Sequence, residues 1–275
     1  MSVIPSSILS CVDAEIDSAF FSNEQLQKGF RYEHKRSCIA LSNALYNQFD
    51  GYGLIAAIYD RIEKNLMRRP NREPSSENWK LCSVNRLSAK SENIKKNKNT
   101  SDEVTLERAI VERWPTEWTY QMPVASGLFG STSDKRRSVD LVYIKEKDNR
   151  NFDFVELKIE SDSPLYAAME ILGYGLVYYA SRQDTAKNLK YDSKDLAVLE
   201  ASKISLCVLA PDDFYKYKNL YYNLEWLQDA INKGLQKLDK GNLKMEFRFE
   251  KFLFPWNHNM SAIDLPEHLV RESVY

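Results

Sequence analysis

Between Ser138 and Ile159 the chain reads SVDLVYI, a charged turn KEKDNRN, then FDFVELKI. Two short runs dense in β-branched and aromatic residues, joined by a stretch of Asp, Asn and Lys, specify a β-hairpin. Asp140, Glu156 and Lys158 stand inside these otherwise apolar strands. With the turn centred on Asp148, Asp140 and Glu156 lie eight residues to either side. Antiparallel pairing then sets them opposite one another with Cβ atoms roughly 5 Å apart, and a slip of one residue would send them to opposite faces. Glu156 and Lys158 are two apart, so both leave the same face of their strand.

A Glu and a Lys in a buried strand need partners or a task. Two facing carboxylates repel unless a positive charge compensates them, and a divalent cation is one solution. Mg²⁺ takes carboxylate and water oxygens in octahedral geometry and leaves room for a substrate phosphate. It polarises that phosphate and acidifies a bound water. Lys158 would orient or help deprotonate the attacking water, or offset charge developing on phosphorus. The competing reading is a buried or edge salt bridge between Glu156 and Lys158 with no chemistry.

Around the hairpin the pattern is α/β. RYEHKRSCIALSNALYNQF and YGLIAAIYDRIEKNLM read as two helical pieces over residues 30–67, with Gly51 and Gly53 marking a break between them. VTLERAIVERW reads as a short amphipathic helix with Thr105 or the preceding acidic residues as cap elements. TYQMPVAS is a strand candidate. PLYAAMEILGYGLVYYASR is a long helix with proline at its tolerated N-terminal position, and ISLCVLAP an internal strand. NLEWLQDAINKGLQKLDKG is a helix ended by glycine, and LKMEFRFEKFLF an alternating strand. The order α-β-β-β-α-β-α-β predicts a mixed central sheet covered by helices. Residues 1–100 read as a helical region or subdomain with a basic linker, and residues 101–275 as the domain that carries the motif.

The 43% apolar and 28% charged composition is that of a folded protein rather than a disordered one. Apolar runs are short, so no membrane span is expected, and the first residues lack the basic-then-apolar pattern of a secretory leader. Cys11, Cys38, Cys82 and Cys207 are scattered and His34, His258 and His268 do not cluster, which argues against zinc or a disulfide framework and for a reducing, cytoplasmic setting. The net charge of −1 conceals eleven Lys or Arg against four Glu between Arg61 and Lys98. That run is either a solvated loop or a contact for a polyanion.

The motif resembles the PD-(D/E)xK nuclease superfamily, whose restriction-endonuclease-like fold carries a strand Asp followed by a strand with (D/E)xK. Residues 103–210 match the family order of a helix, a three-stranded meander, a helix and a further strand. The resemblance implies a Mg²⁺-dependent nuclease, with Mn²⁺ as a substitute, acting on nucleic acid, DNA before RNA. Asp140 and Glu156 would be metal ligands and Lys158 the catalytic lysine. Glu107, on the preceding helix, would be a supporting carboxylate and metal ligand, with Glu112 as the alternative. Some members carry QxxxY on the following helix. Here Glu170 and Tyr174 keep that spacing and would be substrate-binding residues, with Glu in place of Gln: a charged acceptor-only group where the family has a donor as well, which would weaken contact with a phosphate or act as another ligand in the metal shell. The family's proline is replaced by Ser138-Val139 ahead of Asp140. The alternative is a catalytically inactive protein of the same fold that binds nucleic acid or a protein.

Arg136 and Arg137, just before the Asp140 strand, read either as edge-solubilising charges or as grips on substrate phosphates. Trp114 and Trp118 read as packing residues before stacking platforms. The aromatic run Tyr215, Tyr217, Tyr221, Tyr222 and Trp226 reads as core or as a surface for a second copy or a protein partner. The segment after Lys251 looks irregular, with His258 and His268 at the surface.

Overall fold

The computed structural model of the protein describes residues 7–21, 30–42, 49–68, 77–81, 101–125, 137–145, 150–185, 197–238 and 243–275. It is an α/β fold around a mixed six-stranded sheet in the order β1-β2-β3-β4-β7-β8. The strands are β1 (Trp118–Pro123), β2 (Ser138–Ile144), β3 (Asn151–Leu157), β4 (Lys203–Pro211), β7 (Lys244–Phe252) and β8 (Glu272–Ser273), while β5 (Lys216–Tyr217) and β6 (Leu220–Tyr221) form a separate small ribbon. β1, β2 and β3 form an antiparallel meander, β3, β4 and β7 run parallel, and β8 returns antiparallel.

The helices are α1 (Val12–Phe20), α2 (Lys35–Ser42), α3 (Gly51–Met67), α4 (Asp102–Arg113), α5 (Pro164–Thr185) and α6 (Glu225–Leu238). α5 and α6 are the crossovers that parallel neighbours require. β4 is buried at every residue between its ends, as expected of a strand covered on both faces. On one face α5 and α6 pack with α1, α2 and α3 into a single apolar cluster that runs from Ile8 to Phe249. On the other, α4 and the segment from Phe252 to Leu265 share a smaller cluster with Leu141, Val155 and Leu209.

Local chemistry explains the boundaries. α5 starts at Pro164 with Ser163 Oγ accepting from the Tyr166 amide at 3.2 Å, a serine cap followed by proline at the first helical position. α4 is capped by Ser101, whose Oγ accepts from the Val104 amide. The cap is thus one turn earlier than Thr105, which instead donates to the Asp102 carbonyl. Gly51 and Gly53 stand at the boundary between the two helical pieces. They open α3, and Asp50 caps it by accepting from the Gly53 amide at 2.9 Å. Gly51 is there because α3 and α6 cross almost in backbone contact: a Cβ at Gly51 would stand 2.0 Å from the Ala230 carbonyl oxygen, and one at Gly234 would stand 2.6 Å from that of Gly51. α6 also protects the partly open side of β7, where Gln228 accepts from the Phe249 amide and Asn232 bonds both the amide and the carbonyl of Phe247.

The segment after Lys251 is docked rather than loose. Phe254 stacks on Phe252 with ring centroids 4.6 Å apart, and Trp256 donates to the Asp102 carbonyl at 3.1 Å. Arg271 lies over the rings of Trp118 and Tyr143 at 5.3 and 4.9 Å and pairs with the wholly buried Asp153 at 2.6 Å. His258 and His268 are exposed. Among the described residues no helix is long and apolar enough to cross a membrane.

Candidate metal centre

The β2–β3 register pairs Leu141 with Val155, Val142 with Phe154, Tyr143 with Asp153 and Ile144 with Phe152. One step further on, the same register sets Asp140 opposite Glu156. There the ladder stops and a side chain takes over: Asp140 Oδ2 accepts from the Leu157 amide at 3.0 Å. Val142 and Phe154 belong to the larger cluster and Leu141 and Val155 to the smaller. The alternation therefore directs Glu156 and Lys158 towards α5.

Glu156 is 3% exposed. Its Oε1 lies 2.8 Å from Lys158 Nζ, and its Oε2 is buried with no hydrogen-bond partner among the described residues. Such an orphaned carboxylate oxygen is expensive in an apolar setting. Lys158 Nζ also approaches Glu170 Oε2 at 3.3 Å and Asp162 Oδ2 at 3.6 Å. Tyr174 donates to Glu170 Oε1 at 3.2 Å. The spacing that places Glu170 and Tyr174 one turn apart on α5 thus produces a relay from Tyr174 through Glu170 to Lys158.

Glu107 approaches from the opposite side of the sheet. It is buried on α4, whereas Glu112 faces solvent. Of the two, Glu107 is the one at the site, and its oxygen accepts from Gln121 Nε2 at 2.7 Å. Gln121 carries no sequence signal, yet it organises this corner. Its φ of 53° is left-handed, a conformation uncommon outside glycine. It interrupts the β1–β2 pairing between Tyr120–Leu141 and Met122–Val139, opposite Asp140. Tyr120 joins the α4 cluster and Met122 the α5 cluster, so the strand changes face at Gln121. Its side-chain oxygen Oε1 accepts from Ser138 Oγ at 2.6 Å. Glu103, one turn before Glu107, accepts from the Ile159 amide at 3.1 Å and the Ser161 hydroxyl at 2.6 Å, holding the turn after Lys158.

The charges are out of balance. Burial, then the nearby Asp140, pushes Glu107 up to about 8. Burial pushes Asp140 up to about 6, against the pull of the Leu157 amide and Lys158. Burial, then Asp140 and Glu170, raises Glu156 well above the usual carboxylate range. Burial disfavours the charge on Lys158, but Glu156 and Glu170 outweigh it and hold the ammonium above its ordinary value. One ammonium, that of Lys158, stands among these carboxylates, and their raised values mean that bound protons offset part of their charge. Among the described residues no three His, Cys, Asp or Glu side chains close into a ready-made cage. Mg²⁺ is commonly held by one or two carboxylates with waters and substrate phosphates completing its shell, so the residues to weigh are Asp140 and Glu156. The fit is to a hard cation: every donor at the corner is an oxygen.

No family model, curated protein or solved structure matches this chain.

The remaining candidates from the sequence have varied places. Arg137 is exposed beside the Asp140 strand and near enough to Tyr174 to act on its charge. Arg136 lies outside the described residues, as does most of the basic run between Arg61 and Lys98. Within the described part of that run, Arg61 Nε pairs with Glu15 at 2.9 Å and Lys80 with Glu77 at 3.9 Å. Trp118 is buried against Tyr143 with centroids 4.8 Å apart. Trp226 packs on Phe20 and Phe49. Of the aromatic run, Tyr215 and Tyr222 are buried while Tyr217 and Tyr221 remain exposed.

Proposed function

We propose that the protein is a divalent-metal-dependent nuclease of restriction-endonuclease-like architecture, cleaving phosphodiester bonds in nucleic acid, DNA before RNA. The observation that carries this reading is the facing pair of carboxylates Asp140 and Glu156, beside the ammonium of Lys158. Asp140 and Glu156 would hold Mg²⁺ (or Mn²⁺), with Glu107 supporting from α4. Bound there, the cation would polarise a phosphate and lower the pKa of a coordinated water. The chain supplies the rest. Lys158, kept charged by Glu156 and Glu170, is suited to offset negative charge at phosphorus and to orient a water, and unsuited to accept a proton as a base. Glu170 and Tyr174 fix the direction of its ammonium. Arg137, exposed at the edge, is placed to meet a phosphate.

A second reading, a scaffold whose Glu156–Lys158 pair is purely structural, draws on the 2.8 Å contact between them. Cleavage assays on supercoiled, linear and single-stranded DNA, with an RNA control, in Mg²⁺, Mn²⁺ and EDTA separate the two. The nuclease reading expects metal-dependent cleavage that both Lys158→Ala and Asp140→Asn abolish. A folded wild-type protein that neither cleaves nor binds metal refutes it.

A further inference from the structure

Next to the metal corner lies a cavity of about 280 Å³ between α1, the Tyr32–Glu33 segment and α5. Its inner wall is shared with the centre just described: Glu170 and Tyr174 line it, and so does Tyr166, whose ring lies 5.9 Å from Lys158 Nζ. Arg137 lines it as well. Its far wall is α1 with Tyr32 and Glu33. Tyr32 is held in place twice, its hydroxyl donating to Asp13 at 2.6 Å and its amide to Asp17 at 2.8 Å. It stacks on Tyr166 at 6.0 Å with the rings 12° from parallel. These bonds brace the wall from both sides.

The lining has a definite chemistry. The Tyr32 and Tyr166 rings form part of the wall, and Glu33 adds a carboxylate that can only accept, while Asp13 already accepts from Tyr32 and Glu170 from Tyr174 and Lys158, and Arg137 adds a cation at the rim. The volume is at the lower end for small-molecule pockets, which run from roughly 300 Å³. A single planar heterocycle is the size of group that such a volume suits. Carboxylate acceptors choose bases that present exocyclic amino groups, as Glu and Asp do when they accept from cytosine N4. Thymine has no such group.

Resting on the nuclease reading for the scissile phosphate, we propose that this cavity receives the unstacked base of the nucleotide next to that phosphate. The substrate class is therefore single-stranded or locally unpaired nucleic acid, with cytosine, adenine or guanine favoured over thymine in the pocket. Arg137 would take the connecting phosphate while the base enters between α1 and α5. A base must leave its stack to be read this way, which is least costly in a single strand.

The test is binding, so that it does not depend on turnover. Fluorescence anisotropy in Ca²⁺ would compare labelled dC12, dT12 and a dC12·dG12 duplex for the wild type and Glu33→Gln. Glu33 is solvent-exposed, so its substitution leaves the core intact. The expected result is dC12 bound at least about fivefold more tightly than dT12, and also more tightly than the duplex. In Glu33→Gln the gap between dC12 and dT12 narrows, because the glutamine amide can donate to thymine O4. Equal affinity for dC12 and dT12, preference for the duplex, an unchanged gap in Glu33→Gln, or no binding overturns the pocket. Selective binding without cleavage in Mg²⁺ would uphold the pocket and refute the nuclease reading. Cleavage with no base selectivity would do the reverse.

Discussion

Replacing Asp140 with asparagine should make the metal-free protein more stable while removing its proposed activity. In the folded chain Asp140 titrates at about 6, burial being the main cause, against an ordinary 3.8. A raised carboxylate pKa means that folding is penalised once the group must ionise. The penalty is absent below about pH 3.8, grows between 3.8 and about 6, and is constant above that range. The gap of roughly two pH units is worth about 3 kcal/mol at 1.36 kcal/mol per unit. Asparagine keeps an oxygen for the Leu157 amide, but the bond loses its charge assistance, which takes back about 1 kcal/mol. The net expectation at pH 7.5 in EDTA is a gain of about 2 kcal/mol, or a melting temperature higher by about 4–8 °C for a chain of this size. Circular-dichroism melts and urea titrations in EDTA at pH 4, 5, 6 and 7.5 would follow the gain as it opens with pH. Adding Mg²⁺ should stabilise the wild type and leave Asp140→Asn unmoved. A variant less stable than wild type at pH 7.5 in EDTA would refute the reasoning. Asp140 would then be a satisfied structural carboxylate. Equal stabilisation of both proteins by Mg²⁺ would refute the metal assignment.

Three further outcomes follow from the geometry. Lys158→Met strands Glu156 and Glu170 without their shared ammonium, so urea unfolding at pH 7.5 should show a loss of about 3 kcal/mol, as for breaking a buried pair. The loss should shrink towards pH 4 as the carboxylates take up protons. Gly234→Ala drives a methyl against the Gly51 backbone, where nothing flexible can yield, and should cost about 1–3 kcal/mol, whereas Gly173→Ala meets only Leu9 at an ordinary 3.6 Å and should be nearly neutral in the same assay. Arg271→Ala removes one of three cations around Asp153, whose other partners are Arg248 at 3.1 Å and Lys145 at 2.9 Å. It should lower stability by about 2–3 kcal/mol and change the fluorescence of Trp118, over which the guanidinium lies.

The sheet and the site differ in how far they can be seen from sequence. The hairpin register is legible because the turn sits midway between two runs whose alternation would invert on any slip, so Asp140 and Glu156 meet as their spacing predicts. The choice between Glu107 and Glu112 needs helical phase relative to the sheet, which is tertiary information. Gln121 is beyond reach: a left-handed glutamine is imposed by its partners, Glu107 and Ser138, which come together only after folding. Asp153 is different. It stands between Phe152 and Phe154 in an apolar strand, the same anomaly that singles out Glu156, but its partners Arg248 and Arg271 lie about a hundred residues away. Ser101 caps α4 from just outside the periodic apolar run, so a search that begins at the first apolar residue passes over it.

Arg271 gives the site a schedule. β3 carries Glu156 towards α5 and Asp153 towards the opposite face, and the guanidinium that neutralises Asp153 is made more than a hundred residues later in synthesis. While the chain is still emerging, helices α1 to α5 and strands β1 to β4 can assemble with that buried charge only partly matched by Lys145. Asp153 is therefore fully paired only when the segment through Arg271 has folded back over Trp118 and Tyr143. Until that pair forms, the strand that carries Glu156 on one face carries an incompletely matched buried charge on the other.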